Sequence, residues 1–359
     1  MSLRRAEVAV VGGGPAGAVA ALVLARRGLE VVLVEADDYC GPRIGESFPP
    51  AVGGLVARLG LVGLPQAVRM DGYGLRSAWG GPEPEVRSHV CQPGAVGWHV
   101  DRARFDAALA FEAQAAGARR LHARLTGARR LVDGWRLQLS RGGEVEARLV
   151  LDASGRRAAF ARFAGARRTR TDALTALAFE GLPAPIDRYG AYALVEAAPD
   201  GWWYSAPIPG GRAVAVRFSH PAGLRTAPAP PPLTARRHAG LELGPGRRHP
   251  AGASLLEPVC GEGWLAIGDA AMTFDPMSGD GVCRALASGM AAAEAVLTGG
   301  ADALRAEAEE TAARFAAYAR ARADFYAAER RWPDAPFWTW TRSLRPPPSA
   351  AAGAVAPAA

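Results

Sequence analysis

The stretch EVAVVGGGPAGAVAALVLARRGLEVVLVE, residues 7–35, decides the fold. EVAVV reads as a short buried strand and ends in three glycines. PAGAVAALVLARRG (15–28) reads as a helix, with proline near its start and glycine just past its end. EVVLVE (30–35) is the next strand, which completes one βαβ unit. The turn carries Gly12-x-Gly14-x-x-Gly17. In that spacing Gly12 permits the tight turn, Gly14 lets a pyrophosphate approach the backbone, and Gly17 lets helix and strand pack closely. The phosphate then sits at the positive end of the helix. Glu35, at the end of the second strand, is placed to bind ribose hydroxyls. A glycine-rich turn alone can be merely structural. Preceded by a strand, opening a helix and followed by an acid, it predicts a dinucleotide site. The acid argues against a 2′-phosphate, which leaves NAD and FAD.

Outward from this unit, GWHVDRARFDAALAFEAQAAGA (97–118) reads as a strand end and a helix. GWRLQLS and EARLVLDASG read as a hairpin arm and a strand. Residues 165–220 alternate more and suggest a separate antiparallel sheet. RTAPAPPPL (225–233) is a proline-rich surface connection, and 284–330 is Ala-rich helix broken at TGG (298–300). These signals divide the chain into a discontinuous nucleotide-binding domain (1–75, 97–160 and 252–300) and a substrate-domain sheet (76–96 and 161–251). A helical segment (301–340) and a tail without folding signals (341–359) follow.

The chain has 359 residues, 49% of them hydrophobic and 21% charged, as a globular protein would. No window approaches the roughly 18 apolar residues of a membrane span. The N-terminus passes from two arginines straight into a strand, without a signal peptide's cleavage pattern, so the expected location is the cytoplasm. Cys40, Cys91, Cys260 and Cys283 lie far apart, with no CxxC pair and no metal-ligand spacing. The net charge is +7, and all 42 basic residues are arginine. They are scattered in pairs rather than gathered in a basic helix, which speaks against nucleic acid and for a solvated surface with an anionic ligand or acidic partner.

Two later segments separate NAD from FAD. LVLDASGRR (149–157) and GWLAIGDAAMTFDPMSGDGV (263–282) resemble the second and third signatures of a large flavoprotein class. In that class Asp269 contacts the ribityl or pyrophosphate region of FAD. Gly279 and Gly281 let the backbone come against the flavin ring, where amide N–H groups can stabilise its reduced anion. The expected cofactor is FAD. The chain as a whole resembles the group of FAD-dependent monooxygenases, tryptophan halogenases and geranylgeranyl reductases, over roughly residues 5–330. RIGESFPPAVGGLVARLGL (43–61), SAWG (77–80), GWHVDRARFD (97–106) and GWWYSAPIPGGR (201–212) are most similar to the LodB/GoxB-type flavoproteins, which oxygenate a tryptophan of a partner oxidase during tryptophylquinone formation. The resemblance implies a para-hydroxybenzoate-hydroxylase-like α/β fold: a Rossmann-type FAD-binding domain, a second antiparallel-sheet substrate domain and C-terminal helices. It also implies that Arg43 and Arg102 reach FAD and that Pro276 lies beside the flavin.

The chain departs from the halogenase pattern. Where halogenases carry W-x-W-x-I-P, it has Tyr204, Ala206, Ile208 and Pro209. It also has no lysine to hold an oxidised halogen, which disfavours halogenation. Many aromatic hydroxylases have a histidine after GDAA, where this chain has Met272. In the implied fold, alternate residues of 202–209 point into the substrate cavity. Trp202, Trp203 and Tyr204 are therefore candidate wall residues, although they cannot all face one side of a strand. Pro276, Glu46, His99 and Asp280 are candidates for catalytic positions; Asp101 could help orient a substrate, or His99 and Asp101 could simply anchor a strand end.

The expected function is FAD-dependent hydroxylation of an aromatic, indole-like group through a flavin C4a-hydroperoxide. The resemblance extends the target to a tryptophan in a peptide or partner protein. A reductase or dehydrogenase without oxygen insertion, and a flavin-bearing accessory protein without turnover, are the alternatives. With a single GxGxxG, reducing equivalents come either from NAD(P)H bound transiently or from a partner flavin reductase.

Overall fold

The computed structural model describes residues 3–41, 43–61, 68–89, 96–226 and 229–344. The predicted βαβ unit forms as strand Leu3–Val11, helix Pro15–Arg26 and strand Val31–Glu35. Strand Leu3–Val11 pairs in parallel with Val31–Glu35 on one side and with Glu144–Asp152 on the other, with Val8 opposite both Val31 and Leu149. Residues 8–11 and 31–34 are buried without alternation, as expected of strands covered on both faces. Parallel strands at Arg119–His122 and Trp264–Ala266 extend the layer, and the antiparallel strands Leu125–Leu131, Gly134–Leu139 (the predicted hairpin arm) and Cys260–Gly261 complete an eight-stranded mixed sheet.

The first helix is apolar nearly all round and buried over most of its length, because other elements enclose it. Helix Arg102–Ala115 and helix Gly281–Thr298 pack against it. The second contact is a backbone approach: a Cβ placed on Gly289 would collide with the carbonyl oxygen of Ala16.

A seven-stranded sheet forms the second layer, in the order Arg247–Pro250, Thr175–Pro183, Arg212–Ser219, Gly201–Ile208, Tyr192–Ala198, Gly74–Ala78, Glu85–Ser88. Its central strands are antiparallel, but Tyr192–Ala198 meets Gly74–Ala78 in parallel. That pairing joins two segments more than a hundred residues apart. Strand Arg167–Arg170, expected in this sheet, pairs instead with Ser254–Glu257 in a small separate sheet.

The long helix Ala301–Ala327 bridges the layers, with Phe315 in the core of the first and Tyr326 in the core of the second. The expectation of an unstructured tail from 341 is corrected at its start. Helix Pro336–Ser343 buries Phe337, Trp338 and Thr341, and the Trp338 indole N–H donates to the carbonyl of Ala198 (2.9 Å). The helix expected to end at 340 runs on through the polar positions Thr341, Arg342 and Ser343, where Thr341 joins its buried face. Residues 345–359, and Cys91, lie outside the described residues. Among the described residues no helix is long and apolar enough to cross a membrane.

Gly289→Val should lower the unfolding free energy by about 1–3 kcal/mol, the usual cost of overpacking. Denaturant melting measures it, and an unchanged midpoint would refute the close helix contact.

Candidate functional site

A cavity of about 660 Å³ runs between the layers, from the start of the first helix to the inner face of the seven-stranded sheet. Gly14, Pro15 and Ala16 line one end. The helix begins at Gly14 with no side-chain cap and no acid in its first turn. Its first amides therefore face the cavity unpaired, with the positive end of the helix dipole. A Cβ on Gly14 would meet nothing within 4 Å, so a ligand can reach the backbone there. Gly12 has φ +106°, and a Cβ on it would strike the carbonyl of Ala153; one on Gly17 would strike the carbonyl of Gly12. These two glycines shape the turn, and Gly14 opens it.

Glu35 accepts hydrogen bonds from the N–H groups of Gly13 and Asp37, the latter at 2.7 Å. Buried Tyr39 donates to the carbonyl of Gly13 (2.8 Å) and steadies the turn from beyond Glu35. Arg43 and Arg102 both grip Asp106, which is wholly buried: Arg43 at 2.8 Å, Arg102 at 3.1 Å through each of two nitrogens. Arg102 also donates to the carbonyl of Ile44 (2.8 Å). All three residues line the cavity. Sequence reasoning missed Asp106, although its i,i+4 spacing from Arg102 on a helix was available as a signal. Asp269, half exposed and 3.7 Å from Arg156, lines the same end.

At mid-cavity the segment 274–285 presents backbone. Asp275 caps the short turn Pro276–Ser278 by accepting from the N–H of Met277 (3.0 Å), and Gly279 takes φ +63°. Pro276, Gly279 and Gly281 line the cavity, where helix Gly281–Thr298 starts without a side-chain cap. Asp280 does not line it: its carboxylate turns to Arg284 (2.8 Å), which corrects its expected place beside the flavin. Four residues along a helix, Arg284 is simply the nearer partner. Two uncapped helix starts, an open glycine backbone and two arginines along one elongated cavity fit FAD, whose diphosphate and ring carbonyls need such donors.

The far end is the aromatic wall. Trp202 and Tyr204 line the cavity, and Trp202 stacks on Phe218 with ring centroids 3.8 Å apart. Trp203 does not. Strand alternation sends it to the opposite face, where it is fully buried and stacked on Phe179. The Trp202 indole N–H donates to Tyr326 (3.1 Å), and Tyr326 donates to the Asp275 carboxylate (2.7 Å). Arg322 donates to the same carboxylate (3.1 Å), and the Asp275 N–H donates to Tyr318 (2.7 Å). Nothing in the sequence joined Tyr318, Arg322 and Tyr326 to residues some fifty positions earlier.

Tyr204 donates to Ser47 (2.7 Å), and Ser47 lies 2.7 Å from Nδ1 of His99. Nε2 of His99 meets the carbonyl of Ala191 at 3.2 Å and must carry a proton to do so, so Nδ1 accepts from Ser47. The chain thus runs in one direction, from Tyr204 to Ala191. Burial holds the His99 imidazole down at about 4, overriding the Ala191 carbonyl, so the ring is neutral at pH 7. Burial pushes Glu46 up to about 7, against the backbone N–H groups and the nearby Arg102 guanidinium. Asp101 is a cap: it accepts from the N–H of Arg104 at the start of its helix and pairs with Arg212 (2.7 Å).

The comparisons with known proteins agree with this geometry. A family model described as tryptophan halogenase matches residues 82–355, and one for NAD(P)-binding Rossmann-like domains matches residues 10–67. LodB of Marinomonas mediterranea, described as an FAD-dependent oxidoreductase, is 26% identical over 92% of this chain and 95% of its own length. Among solved structures, the peptidyl tryptophan dihydroxylase QhpG, essential for tryptophylquinone cofactor biogenesis, superposes with a TM-score of 0.76 at 26% identity. It covers 94% of this chain and 79% of QhpG. The myxobacterial chondrochloren halogenase CndH, an FAD-dependent enzyme, gives 0.80 at 25%, covering 94% and 86%.

The buried Glu46 makes stability fall as pH rises. Unfolded, the carboxyl loses its proton near 4.5; folded, near 7, so between those values the native state holds the extra proton. Glu46→Gln should therefore stabilise the protein at pH 8 by up to about 3 kcal/mol, with the gain vanishing toward pH 4.5. Urea melts at both pH values would measure this, and a gain independent of pH would show that the carboxyl is not protonated by burial.

Proposed function

The chain belongs to the tryptophan halogenase family and is an FAD-dependent oxidoreductase, and we propose that it is a monooxygenase that hydroxylates an indole ring, in the first instance a tryptophan side chain of a peptide or protein. The observation that carries the proposal is the juxtaposition of the Trp202–Phe218 wall with Glu46, Tyr204 and the Ser47–His99 chain in one cavity. FAD, when bound, supplies the activation of dioxygen. The protein's own groups do the rest.

The aromatic wall holds a planar ring and keeps water away from it. Attack by an electron-rich ring on an electrophilic oxygen leaves a proton to be removed, and the cavity offers two candidate bases. His99, held down at about 4, is a weak one at neutral pH. Glu46, at about 7, is matched to the task and takes the proton from the ring. Tyr204, its hydroxyl pushed up by burial, stays a neutral donor. Its bond to Ser47 fixes its direction, so the Tyr204–Ser47–His99 chain positions rather than titrates. Gly14, Gly279 and Gly281, with Arg43, Arg102 and Asp269, would hold the cofactor; Gly12 and Gly17 shape the turn, and Glu35, which braces the turn by accepting from the Gly13 N–H, would meet the ribose end. Pro276, which lines the cavity, would stand beside the flavin ring.

QhpG supports a peptide-borne tryptophan as the target, since its own substrate is peptidyl. Halogen transfer that runs through a lysine amine is closed to a chain whose basic residues are all arginine. The test mixes anaerobically reduced, FAD-loaded protein with oxygen, bromide and a tryptophan-containing peptide, with free tryptophan in parallel. Gain of oxygen by the peptide, with no bromine, is expected; bromination or unchanged peptide and tryptophan would overturn the proposal. Glu46→Gln should reduce kcat by about 10²-fold with little change in KM, and flatten the pH–rate profile near 7.

A further inference from the structure

A second cavity, of about 280 Å³, lies on the other face of the seven-stranded sheet. Leu75 and Ala193 point to the reaction cavity, so their neighbours Arg76 and Leu194 point here. Arginines dominate its lining: Arg76 from strand Gly74–Ala78, Arg188 from helix Ile186–Tyr189, and Arg236 and Arg237 from helix Pro232–Arg237. Arg76, Arg188 and Arg236 are exposed, but Arg237 is only 5% exposed.

Arg237 is held by neutral partners alone. It donates to the Ser205 carbonyl (3.1 Å), the Ser205 hydroxyl (3.2 Å) and the Tyr192 carbonyl (3.2 Å), and lies over the Tyr189 ring. Among the described residues no carboxylate stands within ion-pair distance of any of the four arginines. The nearby Glu196 is spent elsewhere, accepting from the N–H groups of Leu233 and Thr234 and from the Thr234 hydroxyl at the start of the short helix. The other fully buried arginine among the described residues, Arg217, pairs with the Asp200 carboxylate. A buried guanidinium without a counter-charge is costly unless an anion completes it.

We infer that this cavity is a binding site for a phosphate or diphosphate group. Four guanidiniums converging from three elements match a polyanion with several acceptor oxygens better than one carboxylate with two. The volume suits a diphosphate, and a nucleoside attached to it would project into solvent. The sheet separates this site from the cavity that fits FAD, so a ligand here does not donate hydride; it acts as an effector or an anchor. Its route to the reaction cavity is short. The two carbonyls that Arg237 holds belong to Ser205 and Tyr192, next in the chain to Tyr204 and Ala191, the two ends of the hydrogen-bonded chain across the sheet.

Calorimetric titration of the FAD-loaded protein with inorganic pyrophosphate, ADP and glutamate, at constant ionic strength, tests the inference. Saturable one-site binding of pyrophosphate or ADP is expected. ADP the tighter would name a nucleotide as the source, and equal affinities a free diphosphate. The exposed pair Arg76→Gln/Arg236→Gln should weaken binding roughly tenfold or more. Arg129→Gln/Arg148→Gln, which removes the same charge from the other sheet, should leave it within about twofold. Absence of saturable heat, equal loss in both double variants, or glutamate binding as tightly as pyrophosphate would each overturn the inference.

Discussion

The Asp275 carboxylate is the point on which the two layers are joined. It is buried, it caps the turn that leads to Gly279 and Gly281, and it receives Tyr326 and Arg322 from the long C-terminal helix. Through Tyr326 it also fixes the indole of Trp202, in the opposite sheet. Burial pushes this carboxyl up, and the Arg322 guanidinium and the Met277 N–H oppose that shift. Losing one partner of such a buried pair costs about 3–5 kcal/mol, because the survivor is left charged and dry. The cofactor turn, the substrate wall and the C-terminal helix therefore stand or fall together. Met277 and Trp202 belong to the same apolar cluster as Tyr326, so packing and charge reinforce one another.

The same economy governs the cofactor end. The cavity offers few free charges to an anionic cofactor. Arg43 and Arg102 are shared with Asp106, and Arg43 also pairs with Asp37 (3.1 Å), so they present directed N–H groups on a nearly balanced cluster rather than a bare positive field. The attraction for a diphosphate comes instead from two helix starts that no side chain caps. Such donors cannot be neutralised by a proton or displaced by a rotamer change. This makes the nucleotide end rigid, whereas the aromatic end carries one group that titrates near neutrality, Glu46.

How much of this was legible in the sequence follows from the range of the interaction. The glycine turn, Glu35, the helix after it and the late motif at 263–282 are local patterns, and local patterns imply local geometry. The alternation in GWWYSAPIPGGR told that Trp202, Trp203 and Tyr204 could not share a face, but not which pair would see the cavity. That depends on which side of the sheet the first layer covers, a property of topology. Asp280 sits between two glycines that do line the cavity, and adjacency to a motif was a poor guide to where its side chain turns. Tyr318, Arg322 and Tyr326 were invisible because their partner lies some fifty residues away. The end of helix 336–343 escaped because Thr341, Arg342 and Ser343 carry no apolar signal, and only the finished second core gives the helix's aromatic face somewhere to pack.

The opposite shifts of Glu46 and His99 are a consequence of burial acting on opposite charge types. Both are almost fully dry, at 3% and 2% exposed. Desolvation disfavours the charged form of each, which raises an acid and lowers a base. The carboxyl therefore moves into the physiological range and the imidazole moves out of it. In a dry aromatic cavity burial outweighs the partners that oppose it, so the carboxyl is brought to about 7 while the imidazole is left as a neutral hydrogen-bonding post. Arg102 limits the shift of Glu46 by favouring its charged form. Since Arg102 also holds Asp106, the cofactor end and Glu46 share one guanidinium, and the electrostatics of the two cannot be changed independently.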